Sequence, residues 1–231
     1  MEEYRDDRNP KTEEEEELSG EKGGGRKGRV AREIFSYVRL IVIVVAVVFL
    51  LQTFVIINAR IPSESMETTI MTGDHIFGNR LIYNFRDPER YDIVIFRYPD
   101  NEEQLFIKRI IGLPGETVEI RDGQVYINGS DTPLSDDFCT YDVSDDIPGT
   151  DPGRNTEETG GGTIYQIPED CYFMLGDNRD HSKDSRYWDN PFVQRKKILG
   201  KAFLRYWPLS RISLIKHDQG YAQPPAEEAE G

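Results

Sequence analysis

The sequence predicts a mainly β, antiparallel domain, a sandwich or partly open barrel, preceded by a single N-terminal transmembrane helix. Three observations carry this expectation. Residues 40–57 (LIVIVVAVVFLLQTFVII) hold no charge. Short runs rich in Val, Ile, Phe and Tyr recur after residue 90, punctuated by Gly, Pro and Asp turns. Helical periodicity is scarce in that later part, which argues against a βαβ architecture.

From the N-terminus, residues 1–33 carry a glutamate run at 13–17 and a glycine run at 23–25. They lack apolar periodicity and bury too little surface to offset ordering entropy, so they read as a disordered cytoplasmic tail. Residues 34–57 read as the anchor, because Ile34, Phe35, Tyr37 and Val38 lengthen the uncharged run toward the thickness of a bilayer core. A cleaved secretory signal competes, but its apolar region usually spans only about 7–15 residues, and Ala59 alone offers a small residue for cleavage. Lys22, Arg26, Lys27, Arg29, Arg32 and Arg39 precede the span while only Arg60 follows closely. The positive-inside rule therefore places the N-terminus in the cytoplasm and residues 58–217 outside it.

In that outer part, strands are expected at 92–97, 105–111, 117–120, 125–128 and 172–175. Residues 130–164, rich in Asp, Gly and Thr, read as an insertion or long loop, and residues 218–231 as a flexible tail. Trp207 and its apolar neighbours read as core, with a patch resting on lipid as the competing reading.

Charge is sorted by region: about −7 over residues 1–21, about +5 over 22–39 and about −12 from residue 58 onward, for a net −14. The only basic cluster abuts the apolar run, so the acidic remainder excludes nucleic acid as a partner. Cys139 and Cys171 form no CxxC pair and have no histidine at metal-ligand spacing, which removes a zinc knuckle and a redox dithiol. They are two separate thiols or, outside the cytoplasm, a disulfide.

His75, His181 and His217 lie far apart, and no G-x-S-x-G, HExxH or Walker pattern occurs. The search narrows to Ser and Lys. In an extended 105–111 segment, Phe106, Lys108 and Ile110 share one face and Ile107, Arg109 and Ile111 the other. Apolar flanks desolvate Lys108, and desolvation disfavours an ammonium enough to make a lysine a usable base near neutral pH. A serine beside such an amine becomes a nucleophile; Arg109, which does not deprotonate, suits an ion pair. Taken singly, each feature has a plainer reading. Lys108 is an edge-strand lysine that blunts aggregation, Ser63 and Ser65 are turn residues after Pro62, and 176–188 (GDNRDHSKDSRYW) is an Asp/Asn turn. A calcium loop fails, because Ser185 stands where an EF-hand needs glycine.

Together, the segments PSESM at 62–66, RYDIVIFRYP at 90–99, IKRIIGLPGE at 107–116 and GDNRDHSKDSR at 176–186 resemble, in order and wording, the boxes of the type I signal peptidase family. These are membrane-anchored serine proteases with a Ser/Lys dyad. The resemblance covers the chain from the anchor to about residue 208. It implies Ser65 as nucleophile, Lys108 as general base, and Ser63 with the Ser65 N–H as oxyanion hole. It further implies Ser182 as the hydroxyl that orients the lysine, and Arg109–Asp177 and Asp184–Arg186 as supporting ion pairs, with no metal or cofactor. The sequence departs from the family pattern at Thr68, where proline is usual, Tyr91 and Asp189, where glycine is usual, and His181, where asparagine is usual.

The implied activity is removal of signal peptides from membrane-tethered preproteins after small-x-small motifs, at the plasma membrane and near the secretion translocon. The eight residues from Ile57 to Ser65 span at most about 28 Å, so the nucleophile stays near the lipid bilayer surface. Three alternatives stand beside it. A dedicated peptidase would serve a few surface-assembly substrates, and a silent binding module would keep the fold without the reaction. Self-cleaving repressors share a Ser/Lys dyad but are soluble and carry a DNA-binding domain, unlike this anchored acidic chain.

Overall fold

Once nucleated in the uncharged segment, a helix propagates at the gain of one hydrogen bond per residue fixed, and it does so here from Gly24 to Phe54. The computed structural model describes residues 24–135, 139, 156–159 and 162–217, in two units that divide after Leu51. Helix α1 (Gly24–Phe54), which begins in the first unit and ends three residues into the second, contains an apolar stretch, Arg32–Phe54, of mean hydropathy 2.8, long enough to cross a bilayer. Two boundaries differ from the sequence reading. Residues 24–33 are helical rather than tail, and the helix stops at Phe54, because Ile56 and Ile57 enter a strand and Ile57 is buried in its core. The rest of the expected tail, residues 1–23, lies outside the described residues, as does the C-terminal segment 218–231.

The second unit is built on strands β1 (Ile56–Arg60), β2 (His75–Asn79), β3 (Ile93–Tyr98), β4 (Asn101–Gly112), β5 (Thr117–Arg121) and β6 (Gln124–Ile127). They are followed by β7 (Thr156–Thr159), β8 (Gly162–Gln166), β9 (Cys171–Leu175), β10 (Phe192–Gln194), β11 (Ile198–Trp207) and β12 (Ser213–Leu214). Every pairing is antiparallel. An eight-stranded sheet runs β1-β2-β11-β3-β4-β9-β10 with β12 on β11, and a four-stranded sheet runs β6-β5-β8-β7. The mainly β class and all five expected strands are present. The expected insertion is not wholly loop: β7 and β8 pair within it, and β8 continues the smaller sheet through β5, while much of 136–155 lies outside the described residues.

Strand β3 is buried on both faces, which is why it reads as a continuous apolar run rather than an alternation. Ile93 and Ile95 join a cluster with Ile57, Ile61, Met66 and Ile70, while Val94, Phe96 and Tyr98 join one with Ile110, Met174 and Trp188. A third cluster lies between the smaller sheet and Phe173, Leu175 and Phe192. Cys139 packs against this third cluster, which contains Cys171.

Trp207 is not core. It is 49% exposed beside Leu209, Ile212 and Leu214, which are also exposed: its backbone still pairs with His75 of β2, but the buried positions of β11 end at Ala202. Strand β11 itself escaped the sequence reading: its inward positions include Gly200 and Ala202, whose small side chains give little hydrophobic signal.

Candidate active site

The segment after β1 turns sharply. Ile61 is fixed by its amide on the Asp74 carbonyl (2.9 Å) and its carbonyl under the Gly73 amide (2.9 Å). Met66 and Ile70 are fully buried, so the turn carrying Pro62, Ser63, Glu64 and Ser65 is pinned by apolar side chains on its far side. Strand β4 approaches this turn, and Lys108 Nζ lies 2.5 Å from Ser65 Oγ, with the lysine only 4% exposed. Burial pushes Lys108 down from 10.5 to about 8, against the carboxylates of Asp184 and Asp177, which favour its charged form, and with Arg186, which disfavours it. Ser63 Oγ stands 3.4 Å from Ser65 Oγ.

The 176–186 segment closes the site from below. The Asn178 amide donates to the Ser65 carbonyl at 3.2 Å and its side-chain nitrogen to the Glu64 carbonyl at 3.2 Å. Gly176 is required by space: a Cβ there would lie 2.4 Å from the Ser65 carbonyl oxygen and 2.2 Å from Ser182 Oγ. Arg109 holds Asp177 bidentately, Nε to Oδ1 at 2.8 Å and Nη2 to Oδ2 at 2.6 Å, both side chains being buried. Thr69 Oγ1 donates to the same carboxylate at 2.6 Å, which ties the segment carrying Ser65 to the pair.

Arg186 holds Asp184 in the same way (2.8 and 3.0 Å), and the Gly176 amide donates to Asp184 at 3.0 Å. Burial pushes the Asp184 carboxyl up, but the Arg186 charge and these hydrogen bonds together hold it below the usual carboxylate range. Two buried, bidentate arginine–carboxylate pairs therefore fix this segment; such pairs are geometrically specific whatever their net contribution to stability.

Of the residues singled out in the sequence, Ser65, Lys108, Ser63, Arg109, Asp177, Asp184 and Arg186 come together with the contacts above. Ser182 is brought to the site, buried over Gly176, but among the described residues the hydrogen-bond partner of Lys108 Nζ is Ser65 rather than Ser182. Sequence reasoning passed over Gly176, Asn178 and Thr69. The first two were in the singled-out box as plain turn letters, and Thr69 carried no signal of its own. Tyr91 sits at φ +69°, the left-handed region that glycine occupies without a Cβ penalty. Its ring is buried and its hydroxyl donates to the Ser135 carbonyl at 2.9 Å, which offsets the strain. Among the described residues, no group of three or more His, Cys, Asp or Glu is placed to hold a metal.

Beside the pair opens a groove of about 530 Å³ lined by Ala59, Ile61, Ile95, Leu105, Phe106 and Ile107, with Arg60, His181 and Lys183 at its polar margin. Two strand edges border it. β1 is the end strand of its sheet, and β4 pairs with β9 only from Arg109 onward, leaving the stretch from Leu105 to Lys108 paired on its β3 side alone.

The family described as signal peptidase, peptidase S26, matches residues 34–207. The chain belongs to this family. It is 39% identical over 173 residues to a probable signal peptidase I-2 of Synechocystis, covering 73% of this chain and 71% of that one. It is 32% identical over 219 residues to the signal peptidase I of Pseudomonas aeruginosa, covering 74% of this chain and 72% of the relative. A crystal structure of a signal peptidase I from Enterococcus faecalis is 39% identical, covering 50% of this chain and 97% of that one at a TM-score of 0.37. The chain is thus an enzyme, a serine peptidase of the signal peptidase I type, a family that cleaves signal peptides from preproteins.

Proposed function

We propose that this peptidase removes signal peptides by a Ser65/Lys108 dyad. One observation carries the reading: a buried lysine, its ammonium form disfavoured by burial, within hydrogen-bond reach of a serine at the tip of a pinned turn. Neutral Lys108 takes the Ser65 proton as Oγ attacks the scissile carbonyl. The Ser63 hydroxyl and the Ser65 N–H hold the oxyanion, and Lys108 gives the proton to the leaving amine. Water, deprotonated by the same amine, then hydrolyses the acyl-enzyme. Every step is carried by protein groups and water. Ser182, buried beside Gly176, serves the lysine from below, and the two arginine–carboxylate pairs hold the geometry without reacting.

The substrate lies extended in the groove, its backbone pairing with the free edge from Leu105 to Lys108 and with the segment that follows β1. Alternate side chains then point into the apolar floor, which is where small residues one and three positions before the cleaved bond are selected. The helix Gly24–Phe54 anchors the enzyme in the plasma membrane with its N-terminus in the cytoplasm, and the catalytic unit works outside, near the translocon that delivers its substrates.

The test is cleavage of a secretory preprotein by the full-length enzyme, with the new N-terminus mapped by mass spectrometry. Cleavage after a small-x-small sequence that vanishes in Ser65→Ala is expected. Equal cleavage by Ser65→Ala moves the chemistry elsewhere.

A further inference from the structure

Strand β11 pairs with β3 from Ile198 opposite Phe96 to Lys201 opposite Val94, then passes a bulge between Ala202 and Leu204 and continues beside β2. The Ile93 amide lies one residue beyond that pairing. A buried amide at such a fork needs an acceptor that the departing strand no longer offers. The acceptor is a side chain: His217 Nδ1 takes the Ile93 N–H at 2.9 Å. The segment that delivers it returns along β11, with β12 pairing to Leu204 and Arg205, the Ile215 amide donating to the Phe203 carbonyl at 3.0 Å, and Ile215 buried in the cluster that holds Met66 and Ile70.

The same residue reaches the next strand through its main chain. The His217 carbonyl accepts from Arg109 Nη1 at 2.7 Å, the arginine whose other nitrogens grip Asp177. Asp177 in turn accepts from Thr69. His217 lies ten residues beyond the stretch matched by the family, residues 34–207.

We propose that His217 is a positioning residue for Lys108: its imidazole closes the gap between β11 and β3, and its carbonyl fixes Arg109 and, through Asp177, the segment beneath Ser65. The role rests on the reading of Lys108 as base. An Nδ1 that accepts must be unprotonated, so the ring proton sits on Nε2. The charged groups facing the ring are Lys201 from β11, Asp92 before β3 and Arg109 from β4; burial foremost, then Lys201, holds the imidazole down to about 4. It therefore keeps its acceptor throughout the range in which Lys108 titrates. Lys108 is faced by Asp184, Asp177 and Arg186. Loosening Arg109 leaves the Asp177 charge less neutralised, which favours the ammonium form of Lys108.

The test uses the full-length enzyme on a signal-peptide-bearing substrate. It measures kcat and KM against pH for the wild type, Ser65→Ala, His217→Ala and His217→Asn, with a thermal melt of each. In His217→Ala, kcat is expected to fall about tenfold with KM nearly unchanged, and the acidic limb of the kcat/KM profile to move up by about half a pH unit. His217→Asn, whose Oδ1 occupies the place of Nδ1, restores both. An unmoved limb in His217→Ala, whatever its melting temperature, overturns the role, and a moved limb that asparagine does not restore overturns the part played by the Nδ1 contact. Cleavage persisting in Ser65→Ala overturns the dyad reading itself, and this role with it.

Discussion

Ser65 Oγ and Lys108 Nζ stand 2.5 Å apart although 43 residues separate them, and the burial that brings them together is also what lowers the lysine to about 8. Proximity and activation therefore have one cause. The strand that delivers the amine is packed on both sides, so the amine arrives already desolvated.

The base form of Lys108 is the neutral amine, whose population rises as pH rises through about 8. kcat/KM should accordingly climb about tenfold per pH unit below that value and level above it. Lys108→Arg, which keeps a charge that does not dissociate, should remove turnover while leaving circular dichroism unchanged. A profile that is flat between pH 6 and pH 8 contradicts this.

The same desolvation makes Lys108 a burden on the fold. Its folded value lies below the unfolded one of 10.5, so the unfolded chain binds the proton more readily, and the cost is fully present below about pH 8 and fades toward pH 10.5. Lys108→Met should raise stability at pH 7 by on the order of 1–3 kcal/mol, part of the gain being offset by the lost bond to Ser65. Denaturant melts at pH 7 and pH 10 should show the difference shrinking at the higher pH.

Gly176→Ala places a methyl group 2.4 Å from the Ser65 carbonyl oxygen and 2.2 Å from Ser182 Oγ. The backbone is the part that cannot rotate away, so the segment must retreat from the turn that carries Ser65. Activity should fall about a hundredfold, with a loss of about 1–3 kcal/mol in stability. Wild-type kcat in this variant would show that the close approach is not needed.

Asp184→Asn leaves Arg186 buried with a neutral partner and should cost about 3–5 kcal/mol at pH 7. Because the folded carboxyl lies below its unfolded value, the contribution is present above about pH 4 and is lost as pH falls through the folded value. Wild type and variant should thus converge in stability on acidification, which urea melts across that range would reveal.

Tyr91→Gly relieves a left-handed residue, a gain of about 1 kcal/mol, but empties a packed ring site and removes the bond to Ser135, a loss of about 3–5 kcal/mol. The net expectation is destabilisation by about 2–4 kcal/mol, with Tyr91→Phe losing only about 1 kcal/mol. A more stable Tyr91→Gly would mean that backbone strain dominates there.

Strands such as β3 and β4 were legible because their side chains are large and β-branched. Strands β2 and β11 were not, because Gly78, Gly200 and Ala202 lie where close packing, rather than hydrophobic bulk, selects the residue. The helix boundary was missed for a related reason: Val55, Ile56 and Ile57 are as apolar as the helix they follow, and only their pairing and packing separate them from it. The site residues were legible as wording in four separated boxes, whereas Thr69 and His217 make main-chain and side-chain contacts that leave no mark on the local sequence.

The long apolar helix, the β class and the residue types of the site could be read from sequence alone, because apolar runs, turn residues and motif spacing are local properties. Packing settled which of those residues meet, that burial lowers Lys108 toward neutral pH, that Ser182 lies over Gly176 while Lys108 Nζ bonds Ser65, and that Trp207 faces outward. These depend on desolvation and on contacts between segments far apart in the chain, and both come into being only when the sheets pack.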